Sequence, residues 1–157
     1  MVLIKIKKLK KMKSVTHYQK NFLKSFSILM FAAFILQSCA SKYAFSTSPV
    51  VPAAEGTVKV KKDGNNNYKL DVEVKRLAEP NRLTPARQLY VVWMETEKNG
   101  TKNIGQLKTS SGMLSSMLRS NLETVTSFKP VSFMITAEDE ADVQYPGGQV
   151  VLKTNVF

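Results

Sequence analysis

Tyr68-Lys69-Leu70-Asp71-Val72-Glu73-Val74-Lys75 is the stretch that decides the fold. Successive side chains of a strand point to opposite faces. Tyr68, Leu70, Val72 and Val74 therefore share one face, and Lys69, Asp71, Glu73 and Lys75 share the other. This predicts a half-buried strand of an antiparallel sheet, with one face on a core and one in water. Upstream, Val58 and Val60 alternate with Thr57, Lys59 and Lys61, and the turn Asp63-Gly64-Asn65-Asn66-Asn67 joins the two runs into a hairpin.

Downstream, Pro80 and Pro85 bracket a loop. Leu89-Tyr90-Val91-Val92-Trp93-Met94 is then continuously apolar and rich in β-formers, which predicts a central strand with Trp93 in the core. Asn99-Gly100 turns the chain into a strand carrying Ile104 and Leu107. Leu114, Leu118 and Leu122 recur every fourth residue, which suits a helix or a strand. Gly112 before them and Thr124-Val125-Thr126 after them favour strand, with a short helix at 113–120 as the alternative. Pro130 opens Val131-Ser132-Phe133-Met134-Ile135-Thr136, and Tyr145-Pro146-Gly147-Gly148 turns into a closing strand over 149–155. About seven short strands separated by turns predict an all-β domain over 55–157, an Ig-like antiparallel β-sandwich. Residues 39–54, small, polar and broken by Pro49 and Pro52, read as a flexible tether with a reach of about 50 Å.

The 157-residue chain has 23 Lys+Arg against 12 Asp+Glu. Its net charge of +11 is uneven: residues 1–38 hold eight lysines and no acid. The excess belongs to a leader, which removes the case for nucleic acid as a partner. A basic stretch precedes the apolar run Phe26–Leu36. A membrane-spanning helix needs about 20 apolar residues, and this run of eleven is too short. It has the order of an export signal over residues 1–38, with Met12 as the expected true start.

Leu36-Gln37-Ser38-Cys39 follows directly and resembles the bacterial lipoprotein box. The resemblance implies cleavage between Ser38 and Cys39, a diacylglyceryl group on the Cys39 thiol, and anchoring to a membrane. One chain holds marginally and two hold stably. Ala40-Ser41-Lys42 carries no Asp and no acidic cluster. In lipoproteins of diderm bacteria that pattern goes with the periplasm-facing side of the outer membrane, and an acidic cluster goes with surface export in some Bacteroidetes-type lipoproteins.

Cys39 is the single cysteine and His17 the single histidine. With His17 in the leader and Cys39 acylated, the mature domain has neither a disulfide nor a histidine. Ser–His and Cys–His catalysis and N/S-ligated zinc fall away, and no cofactor is expected. The reading is of a non-enzymatic module.

Trp93 in Leu89-Tyr90-Val91-Val92-Trp93, an Asn-Gly turn, Ile104-Gly105-Gln106-Leu107, Thr136-Ala137-Glu138, Pro146-Gly147-Gly148 and Val150-Val151-Leu152 together resemble the extracytoplasmic C-terminal domain of anti-sigma-K factors. The resemblance covers about residues 85–155 and implies a sandwich outside the cytoplasmic membrane. The sigma-binding domain and membrane helix of those proteins have no counterpart among these residues, so a regulatory role does not carry over.

Four further groups are candidates for chemistry. Glu138, Asp139, Glu140 and Asp142 crowd carboxylates that could hold Ca²⁺, against the plainer reading of a solvated acidic loop. Lys59, Lys61, Lys62, Lys69, Lys75 and Arg76 could meet lipid headgroups or an anionic glycan, or form an ordinary solvent face. Tyr90, Trp93, Phe133 and Met134 read as core before cleft. Ser110, Ser111, Ser115 and Ser116 read as a polar turn. The expected function is a membrane-anchored envelope module that binds another envelope protein. The alternatives are an accessory domain of an anti-sigma or envelope-stress system, and a glycan-binding module.

Overall fold

The computed structural model describes residues 40–111 and 118–157, with the side chains of 109–111 and 118 left out. The described residues lie within one compact unit, Cys39–Phe157. Among the described residues there are nine strands: β1 (Ser41–Ala44), β2 (Glu55–Lys62), β3 (Tyr68–Lys75), β4 (Leu89–Thr96), β5 (Gly100–Gln106), β6 (Lys108–Ser111), β7 (Leu118–Thr126), β8 (Pro130–Glu138) and β9 (Gln149–Lys153). A single 3-10 turn at Pro80–Arg82 is the only other regular element among the described residues.

Two antiparallel sheets form, ordered β1-β2-β3-β7-β6 and β5-β4-β8-β9. If β1 is set aside, this is the immunoglobulin order: two hairpin-linked strands, then crossovers that place β7 beside β3 and β8 beside β4. The expected Ig-like sandwich is therefore the observed architecture. The alternation of β3 holds as read: Leu70, Val72 and Val74 have no exposure, and Tyr68 packs at the core margin. They meet Tyr90, Val92 and Met94 of β4 and Phe133, Ile135 and Ala137 of β8 in one cluster.

On the outer face, Lys59 stands directly opposite Asp71 and bonds it at 3.1 Å, and Lys69 reaches Glu123 at 3.5 Å. Asp71 raises the Lys59 pKa by hydrogen bond and charge. Such exposed pairs contribute little to stability. The β2–β3 turn is organised by Asp63, whose carboxylate accepts the backbone N–H groups of Asn65 and Asn67 at 2.8 Å each. The Asn67 N–H is the main reason its pKa is lowered.

Two expectations need correction. Residues 40–54 do not form a free tether. Ser41 to Ala44 pair in register with Val60 to Thr57, and Phe45 bridges Thr154, so the segment joins one sheet to the edge of the other. Ser48 turns the chain, accepting the N–H groups of Val50 and Val51, and Val51 and Ala54 are buried. Ser110 and Ser111, read as part of a polar turn, belong to strand β6. These two additions raise the count from about seven strands to nine. Residues 118–126 are strand, as favoured, while 112–117 lie outside the described residues.

Trp93 is fully buried, as expected, but packs outside the cluster between the sheets. On β4 it alternates with Val92 and Met94, so it occupies the opposite face of the β5-β4-β8-β9 sheet together with Val91. Segment 139–148 folds back over that face. Asn103, directly opposite Trp93 on β5, donates through Nδ2 to the carbonyls of Ala141 and Val143 at 2.8 and 3.0 Å.

Candidate functional site

The sequence motifs converge on one hydrogen-bonded unit. Trp93 Nε1 donates to Thr136 Oγ1 at 2.8 Å, and the Thr136 hydroxyl donates to Glu138 Oε1 at 2.6 Å. Glu138 Oε1 also accepts the backbone N–H groups of Gly147 and Gly148 at 3.2 and 3.0 Å. A buried carboxylate is costly unless paired or hydrogen-bonded, and here three donors supply the compensation. A Cβ on Gly148 would overlap the Ala137 carbonyl and press on the Glu138 carboxylate. Glycine is thus required by close approach of two backbones. The unit clasps the loop onto the sheet.

This consumes the first member of the acidic cluster. Glu138 is buried and points into the clasp, whereas Asp139 pairs with Arg87. Glu140 is exposed and Asp142 faces the trough described below. The candidate calcium ligands Glu138, Asp139, Glu140 and Asp142 are not brought together, and no group of three or more metal-binding side chains occurs among the described residues. A loop that spends its carboxylates on the fold cannot also converge them on an ion.

Tyr90 and Phe133 are core, as expected. The Tyr90 hydroxyl donates to the Ala78 carbonyl at 2.8 Å, and burial pushes its pKa up to about 12. Met134 is half-buried on the Trp93 face. Ser110 and Ser111 lie on β6; Ser115 and Ser116 lie outside the described residues, as do Ser38 and Cys39.

The basic candidates separate into two groups. Lys59 pairs with Asp71, Lys75 with Glu73 and Arg76 with Glu55, leaving no unbalanced positive field along those strands. Lys61, Lys62 and Lys69 instead lie around the β2–β3 turn. This is the end of the sandwich at which β1 begins, since Ser41 pairs with Val60. There a shallow groove of about 350 Å³ runs between the sheets, lined by Ser41, Tyr43, Lys62, Lys129 and Phe157. Phe157 stacks on Tyr43 with ring centroids 3.4 Å apart and leans on Phe133 at 6.0 Å, tying β1 to the second sheet. An open trough of about 600 Å³ lies on the other sheet between β5 and residues 141–145. Both are open to solvent.

No helix among the described residues is long and apolar enough to cross a membrane. Compared with protein-family models, curated proteins and solved structures, the chain shows no match.

Proposed function

We propose that this chain is a lipid-anchored protein of the bacterial cell envelope, held by Cys39, whose β-sandwich is a non-enzymatic interaction module. The observation that carries this reading is the placement of the only cysteine directly after an eleven-residue apolar run, behind Leu36-Gln37-Ser38. The sandwich supports it in one respect: its core closes on Leu, Val, Ile, Phe and Met without needing a disulfide, which leaves the thiol for acylation. Ala40-Ser41-Lys42, without an Asp after Cys39, supports the periplasmic side of the outer membrane as the anchor's location in this reading.

The test is to express the full chain and its Cys39→Ala form in a diderm bacterium. Acyl mass on a peptide beginning at Cys39, together with loss of membrane association in Cys39→Ala, is the expected result. A wild-type chain recovered without lipid overturns the anchor. Crosslinking in intact cells, with Cys39→Ala as comparator, then identifies the envelope partner.

A second reading, an accessory domain of an anti-sigma or envelope-stress system, is favoured by one observation. Trp93, Thr136, Glu138 and Gly147-Gly148, which carry the resemblance to anti-sigma-K domains, are members of a single bonded unit. A stress regulon that shifts on deletion of this gene supports that reading, and an unchanged transcriptome removes it.

A further inference from the structure

We infer that the end of the sandwich carrying the start of β1 is a lipid-contact face that seats on anionic phospholipid headgroups. The inference rests on the Cys39 anchor of the preceding subsection. With β1 beginning at Ser41, one residue, Ala40, separates the anchored position from the rigid sheet, and Cys39 to Ser41 spans about 7 Å. A tether of fifteen residues would let the domain turn any surface toward the bilayer; a single residue brings this end to it.

Three connections meet at that end. The β2–β3 turn leaves Lys62 and returns at Tyr68, which stands opposite Thr126 at the end of β7. Residues 127–129 cross to Pro130 of β8, opposite Thr96, and the β4–β5 turn lies beside it. Segments 61–69, 97–102 and 126–130 carry Lys61, Lys62, Lys69, Lys98, Lys102 and Lys129 against Asp63 and Glu97, with Glu123 of β7 paired to Lys69. Lys129 pairs with Glu97 at 3.2 Å, while the ammonium groups of Lys62 and Lys102 sit over the rings of Tyr68 and Phe128. Phe128 is itself exposed, at the tip of the 127–129 crossing.

The opposite end has the reverse character. Glu138, Asp139 and Glu140 stand there at and just after the end of β8, and every base of that end is paired: Lys75 and Arg119 with Glu73, Arg76 with Glu55, Arg82 with Glu79 and Arg87 with Asp139. The domain is electrically polarised along the direction that the anchor fixes, positive toward the attachment point. Lysines ringing an exposed aromatic residue suit an anionic interface, where cationic side chains meet phosphates and the ring enters the headgroup boundary.

The experiment uses the full-length protein purified from the expressing bacterium, with an intact mass to read Cys39 acylation separately. The protein is bound to vesicles of phosphatidylcholine, with or without phosphatidylglycerol, and amide exchange is followed. The expected result is slowed exchange over 97–102 and 126–130 with phosphatidylglycerol only, reversed by high salt. Reversing Lys62, Lys98 and Lys129 to Glu is expected to lower the seated-to-free ratio by about fivefold or more per lysine, and Arg82→Glu to leave it unchanged. Equal exchange on both vesicles overturns the lipid face while leaving the anchor intact. Binding to phosphatidylglycerol vesicles by protein without acyl mass supports the face and refutes the anchor, and no binding by such protein overturns both.

Discussion

Trp93 and Thr136 meet diagonally across neighbouring strands, the indole N–H donating to the threonine hydroxyl at 2.8 Å on the face of the sheet turned away from the main core. Through Thr136 the indole is linked to Glu138, and through Glu138 to the backbone of Gly147 and Gly148. One hydroxyl therefore joins a buried aromatic side chain to the loop that buries it.

Replacing Thr136 by Val keeps the shape of the side chain but strands the Trp93 N–H and removes a donor from a buried carboxylate. Leaving such groups unsatisfied costs about 2–3 kcal/mol. Urea unfolding is expected to show that loss, with faster amide exchange at Gly147 and Gly148. A change within about 0.5 kcal/mol, the size of an ordinary surface substitution, would show that the clasp does not hold the loop.

Gly148→Ala and Gly64→Ala make a matched pair. The first places a methyl group on the Ala137 carbonyl, while the second meets nothing within 4 Å. Thermal melts are expected to show Gly148→Ala strongly destabilised, by about 3 kcal/mol or more, and Gly64→Ala close to wild type. Equal melting of the two variants contradicts the backbone approach described here.

Tyr90 gives the fold an alkaline limit. Burial raises its pKa from 10.0 to about 12, so the folded protein keeps the phenolic proton at a pH where the unfolded chain releases it. Its contribution is constant below pH 10 and is lost as pH rises through about 12. Tyr90→Phe is expected to flatten that part of the pH–stability curve. At neutral pH it costs about 1 kcal/mol, through the lost bond to the Ala78 carbonyl. An unchanged alkaline slope in the variant would assign the limit to another group.

Tyr43 tests whether residues 41–44 belong to the fold. Its ring stacks on Phe157, and its strand pairs with β2. Tyr43→Ala is expected to destabilise by about 2 kcal/mol, and the exposed Lys42→Ala by little. A tether would register neither substitution, so equal small effects in denaturant melts would restore the tether reading.

Calcium provides a further check. With Glu138 held by three hydrogen bonds and Asp139 paired with Arg87, millimolar Ca²⁺ is expected to leave the melting temperature unmoved. A rise of several degrees that disappears in Glu140→Gln or Asp142→Asn would reinstate a metal site in this loop.

Much of the sandwich is legible in the chain because half-buried strands must alternate. The hairpin of β2 and β3, with Leu70, Val72 and Val74 inward, follows from period two alone, while the strand character of 89–94 and 131–136 follows from apolar runs rich in β-formers. The candidate site was only partly legible. Trp93, Thr-x-Glu and Pro-Gly-Gly stand out as separate motifs, but nothing in their spacing says that they bond to one another. The four carboxylates read as a cluster because sequence proximity hides direction: adjacent side chains on an extended chain point opposite ways.

The sequence by itself determined that this is an all-β domain, which strands are half-buried, and that the one cysteine follows an apolar leader run. Only the tertiary structure decided which face of a doubly apolar strand meets the other sheet, since an apolar run with no polar side carries no phase. It also decided that Ser41–Ala44 and Lys108–Ser111 are strands. Edge strands are held by the backbone hydrogen bonds of a neighbour, and those bonds are made whatever the side chains, so polar segments leave no pattern to read.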